Sequence, residues 1–179
     1  LLTPTGQAVF RTTGKVTIDQ PVGAFAFPSD PNTYRAIGVR VQKIANDSTG
    51  ELSMTLDGIG SNIKLLLRRE AGSDQISMTA SMDGDVLDST LLDVSSLPYD
   101  ILFGINKSGK FAAIATSLSA GTQTYFSGDT TFAMSNEIVT PRLEWESIGG
   151  SESTLVIDNY LVGLALPQGA AIQIPYIVE

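Results

Sequence analysis

The 179 residues suit one domain with a core of ordinary size, and 19 acidic against 11 basic side chains leave a formal charge of -8. That charge would repel nucleic acid and anionic membrane surfaces, so neither is expected as a partner. Histidine and cysteine are both absent, which removes the usual general base, the Ser-His-Asp and Cys-His constellations, ordinary zinc sites and any disulfide framework.

No apolar run approaches the roughly 20 residues of a membrane span, so no insertion is expected. The chain begins at Leu1 without a charged-then-apolar signal segment, and is expected to be a processed or excised piece.

In chain order, residues 1–6 read as an N-terminal lead-in held extended by Pro4. A first strand pair is predicted over 8–12 and 15–19, then a strand over 22–27 that stops at Pro28. Residues 29–32, Ser-Asp-Pro-Asn, form a turn by composition. Over 34–45, Ile37, Val39 and Val41 alternate with Arg40 and Gln42, which predicts one buried and one wet face. Further arms carry Leu52, Met54 and Leu56; Ile63, Leu65 and Leu67; and Ile76, Met78 and Ala80. Asp83-Gly84 is a hairpin signal before the arm that runs through 87–94. Tyr99, Ile101, Phe103 and Ile105 share a face, and Asn106-Lys107-Ser108-Gly109 turns the chain into 110–118.

Shorter runs follow at 122–126 and 131–134. Residues 143–166 are predicted as a closing hairpin with Gly149 and Gly150 at its turn and a return arm, apolar on both faces, in the sheet interior. The tail, 171–179, alternates but contains Pro175, which makes it an edge strand or a free arm. One domain over 1–179, all-β, with roughly 12 to 14 short strands in a two-sheet antiparallel jelly-roll sandwich, is the predicted fold.

Glu144 and Glu146 share a face of one strand at a separation admissible for a glycosidase pair, although a solvated face gives the same pattern. Asp158 is a lone carboxylate on an apolar strand and needs a partner. Calcium, a backbone amide and an ion pair are the candidates. Asp30, Asp83 and Asp85, with Asn32, could supply a loop calcium site, or could simply make turns. Trp145 is the only tryptophan and is either a core ring beside Leu143 or a sugar platform. Tyr34, Tyr125 and Tyr160 are the other ring candidates for a glycan surface. Asn46-Asp47-Ser48 and Asn106-Lys107-Ser108 match the N-glycosylation pattern.

Four stretches, Phe25-Ala26-Phe27, Tyr34-Arg35-Ala36-Ile37-Gly38-Val39, Ile105-Asn106-Lys107-Ser108-Gly109-Lys110-Phe111 and Val156-Ile157-Asp158-Asn159-Tyr160-Leu161-Val162, give the chain its resemblance to a known layout. The chain resembles the concanavalin A-like lectin and glucanase superfamily, including laminin-G-like domains. The resemblance implies two antiparallel sheets, glycan recognition on a concave face or at the loops, and a structural calcium held with the help of Asp158. It does not imply catalysis, because the Glu-x-Asp-x-x-Glu strand of the related glycanases is missing.

The function expected is therefore non-catalytic recognition of a glycan or cell surface by an extracellular, cell-surface or virion protein of adhesin or tail-fibre type. One alternative is a self-assembling virion or filament subunit that adds strand 171–179 to a neighbour's sheet. The other is a glycan hydrolase using Glu144 and Glu146.

Overall fold

The computed structural model describes residues 7–18, 25–26, 30–45, 47–58, 60–130 and 138–166. The lead-in, most of the predicted strand 22–27, the run 131–134, Asn46 and the tail lie outside the described residues.

Thirteen strands carry the fold: β1 (Ala8–Thr12), β2 (Lys15–Thr17), β3 (Phe25–Ala26), β4 (Tyr34–Ile44), β5 (Thr49–Asp57), β6 (Asn62–Arg69), β7 (Gln75–Met82), β8 (Asp85–Asp93), β9 (Tyr99–Asn106), β10 (Lys110–Ser117), β11 (Gln123–Asp129), β12 (Ile138–Ile148) and β13 (Ser153–Leu166). A single 3₁₀ turn, Val94–Ser96, is the one helical element among the described residues. A six-stranded sheet runs β1-β13-β4-β9-β10-β11. A seven-stranded sheet runs β2-β12-β5-β6-β7-β8, with β3 also on β12. Pairing is antiparallel throughout both sheets, which makes the chain the predicted two-sheet sandwich.

Period-two alternation explains the core. Ile37, Val39, Val41, Ile101, Phe103 and Ile105 point inward from the six-stranded sheet and meet Leu52, Met54, Leu56, Ile63, Leu65 and Leu67 from the other. Each such side chain contributes about 1.5–3 kcal/mol by leaving water. The rim is closed by polar bridges between the sheets. Arg69, only 6% exposed at the inner end of β6, donates to the Ile44 carbonyl of β4, and the Tyr99 hydroxyl of β9 donates to the Asp93 carbonyl at the end of β8.

Three expectations need correction. β12 and β13 do not form a hairpin within one sheet: β12 pairs with β2 and β5, β13 with β1 and β4, and Gly149 and Gly150, at φ 92° and 77°, carry the chain from one sheet to the other. β1 and β2 likewise lie in opposite sheets. The third concerns β4, which is buried on both faces, its outward Ala36 and Arg40 being as enclosed as its inward residues.

Candidate functional site

The outer face of the six-stranded sheet is ordered in rows by strand register. One row runs Asp158, Arg40, Asp100, Thr116, Gln123 from β13 across to the edge strand β11. The next runs Leu161, Gly38, Leu102, Ile114, Tyr125. A third brings Ala36, Gly104, Ala112 and Ser127 together.

Burial divides this face in two. Over β4 and β9 it is enclosed, with Arg40 and Asp100 each 2% exposed and joined by two hydrogen bonds, Nε to Oδ1 at 2.6 Å and Nη2 to Oδ2 at 2.9 Å. A bidentate pair of this kind satisfies both charges where water is absent. Over β10 and β11 the face is open. Tyr125 is 58% exposed there, its nearest cross-strand neighbour being Ile114, and Gln123 donates from Nε2 to the Thr116 hydroxyl at 3.1 Å. An exposed ring beside an aliphatic floor, rimmed by Gln123, Thr116 and Ser127, offers a flat apolar surface with neutral hydrogen-bonding groups at its edge.

Tyr34 borders this platform from β4. Burial, and then the neighbouring Tyr125 and Asp129, raise its phenol above the ordinary 10.0. Asn106 stands opposite Tyr34 on β9 and is fully buried, its Oδ1 accepting from the Ser108 and Lys110 amides to build the β9–β10 turn. That role closes the Asn106-Lys107-Ser108 glycosylation pattern, because the acceptor amide is not accessible.

The other ring candidates separate from Tyr125. Trp145 is 0% exposed and points into the core over Gly50, so the structure corrects its assignment as a ligand platform: no face of the indole reaches solvent. Tyr34 is 8% exposed and belongs to the platform only through its border. Tyr160 sits in a bulge of β13, where Asn159 adopts φ 49°, and packs against the core instead of joining Tyr125.

The acidic candidates are dispersed. Asp158 Oδ1 accepts from the Asn159 amide at 2.8 Å within that bulge. Asp30 accepts from the Asn32 amide and the Thr33 hydroxyl, which hold its carboxyl below the ordinary 3.8. Asp83 Oδ1 accepts from the Asn62 amide at 2.8 Å, and Asp85 is exposed at the start of β8. Among the described residues no three His, Cys, Asp or Glu side chains come together as a metal site. Glu144 and Glu146 project from the outer face of β12, on the opposite sheet from Tyr125. Glu144 pairs with Lys15 at 2.9 Å, beside a surface chain of Glu51, Arg68 and Glu70.

No family model and no curated protein matches the chain. Solved structures do. The chain is similar to the CBM2 module of the evolved Dit of Lactobacillus casei BL23 phage J-1, with 15% identity, 77% of this chain and 66% of that one covered, and a TM-score of 0.56. It is similar to a laminarinase from Flavobacterium sp. UMI-01, at 12% identity with 87% and 77% covered and a TM-score of 0.54. A functionally unknown protein from Saccharomyces cerevisiae matches at 13% identity over 92% and 95%, with a TM-score of 0.52. What they share with it is the fold. The laminarinase thus stands among the structural neighbours at low identity, and what the two chains share is the sandwich fold.

Two parts of this face escaped the sequence reading. The Arg40–Asp100 pair was legible by the argument applied to Asp158, since Asp100 is a lone carboxylate within the otherwise apolar stretch of β9. Thr116 and Gln123 carry no comparable signal, because only the register of β10 with β11 brings them to the platform.

Proposed function

We propose that the chain is a non-catalytic glycan-recognition sandwich that stacks a sugar ring on Tyr125, on the open outer face of β10 and β11. The observation that carries this reading is the 58% exposure of Tyr125 beside Ile114, within a rim of Gln123, Thr116 and Ser127. A pyranose has an apolar face of C–H groups and an equator of hydroxyls, and this arrangement matches both. Two of the neighbours above, by their names a CBM2 module and a laminarinase, support the reading. The partner is then a glycan of a cell or particle surface, and the parent protein extracellular or part of a virion.

The test is a glycan array followed by calorimetry of the best ligand. Tyr125→Phe should keep binding and Tyr125→Ala should lose it, with melting temperatures unchanged because the ring is exposed. Unchanged affinity in Tyr125→Ala, or an array without a ligand, would refute the platform.

A further inference from the structure

A second feature lies on the other sheet. Asp57, Gly58, Gly60, Ser61, Asn62, Asp83 and Arg142 line a hollow of about 410 Å³ at the rim of the seven-stranded sheet. Its side chains come from the end of β5, the β5–β6 hairpin, the β7–β8 turn and β12. They are held in place by their own contacts. Arg142 Nη2 lies 3.0 Å from Asp57 Oδ2. Asn62 donates its backbone amide to Asp83 Oδ1 at 2.8 Å, and the Asp83 amide returns a bond to the Asn62 carbonyl at 3.1 Å.

These contacts leave much of the polar chemistry unused. Asp57 Oδ1, Asp83 Oδ2, the Asn62 side-chain amide, the Ser61 hydroxyl and the remaining N–H groups of Arg142 have no partner among the described residues. Small-molecule sites occupy roughly 300–1,000 Å³ and are mostly apolar. This hollow reaches the volume of the smaller ones but is shallow, open to solvent and polar, so a ligand would be held against it by hydrogen bonds and not enclosed. A simple cation would meet the Arg142 guanidinium, and a simple anion would meet two carboxylates, so neither is favoured. An uncharged molecule rich in hydroxyls suits both sets, giving protons to the Asp oxygens and receiving them from Asn62 and Arg142.

We infer that this hollow is a second saccharide-contacting site, which reads the hydroxyls of a neutral sugar while the Tyr125 platform reads a ring face. The inference rests on the glycan reading of the protein but not on the platform itself.

The experiment is amide NMR of the full chain titrated separately with D-glucose, D-galactose, D-mannose and calcium chloride. At least one sugar should shift the Gly58, Gly60, Ser61 and Asn62 amides saturably, and equally so in Tyr125→Ala. The double variant Asp57→Asn, Arg142→Gln should weaken that response about tenfold or more, the loss expected when charge-assisted hydrogen bonds are removed. Should the double variant not fold, Ser61→Ala, whose hydroxyl has no partner among the described residues, should weaken the response in an intact chain.

No sugar response at these amides would overturn the inference, as would an undiminished response in the Asp57→Asn, Arg142→Gln double variant or in Ser61→Ala. A response to calcium alone would overturn it too, by making the hollow a cation site. Shifts confined to the amides around Tyr125 would sink the hollow and leave the platform standing; shifts confined to the hollow would do the reverse.

Discussion

Gly50→Ala should be one of the most damaging small substitutions in this protein. Gly50 lies in β5, opposite Ser147 of β12 and Arg69 of β6. A Cβ at this position would stand 2.2 Å from Cη2 and 2.7 Å from Cζ2 of Trp145. Comfortable carbon contacts are about 3.5–4.0 Å, so the indole would have to move by more than about 1 Å. It has little room to move, being fully buried in a close-packed core. Overpacking costs about 1–3 kcal/mol, and a rigid bicyclic ring places this case near the upper end. Against a typical stability of about 5–15 kcal/mol the loss is easily measured.

The decisive assay is urea unfolding followed by far-UV circular dichroism in two backgrounds. With Trp145 present, Gly50→Ala should lower the midpoint by the equivalent of about 2–3 kcal/mol. In a Trp145→Leu chain the obstructing ring is gone. The backbone of Gly50 does not lie at positive φ, so Ala can adopt its conformation without strain. There the same substitution should be neutral or stabilising by up to about 1 kcal/mol, because glycine in a strand loses more chain entropy on folding than alanine. The two costs should therefore differ by about 2 kcal/mol or more, the coupling expected of residues in direct contact. Equal costs in the two backgrounds would refute the placement of the indole over Gly50.

Two further outcomes follow from buried and hydrogen-bonded charge. Arg40→Ala should cost about 3–5 kcal/mol by leaving Asp100 buried and unpaired, whereas Arg40→Met combined with Asp100→Leu should cost far less; equal losses in thermal melts would show that the pair is not buried as described. Asp30, Asp93 and Glu70 accept hydrogen bonds that hold their carboxyls below the ordinary 3.8, 3.8 and 4.5. The unfolded chain therefore takes up these protons first on acidification. Their contribution is complete above those ordinary values and is lost as the pH falls through the lowered folded ones. Asp30→Asn with Asp93→Asn should flatten the fall of melting temperature below pH 3.8, and an unchanged slope would exclude these two groups as its cause.

How far the molecule was legible in its sequence depended on whether a feature was local. Alternation marked almost every described strand, and turn residues such as Asp83-Gly84 and Asn106-Lys107-Ser108-Gly109 paired β7 with β8 and β9 with β10 correctly. Alternation carries no address, however. β1 finds its partner in β13, nearly the whole chain away, and β2 finds β12, so adjacency in sequence wrongly suggested that each neighbouring pair shared a sheet. The same limit governed the site. Tyr34, Tyr125 and Tyr160 look alike in the sequence, and what separates them is their place in the sheet order. Tyr34 stands on β4 between β13 and β9, with neighbours on both sides. Tyr160 is turned toward the core by a bulge that needs the register with β4 to be seen. Tyr125 points outward from β11, beyond which no strand follows among the described residues, and the ring is 58% exposed. The proposed recognition role rests on the exposure of the Tyr125 ring there, beside Gln123, Thr116 and Ser127, with the Lys110–Asp129 pair at one end of the same strand pair.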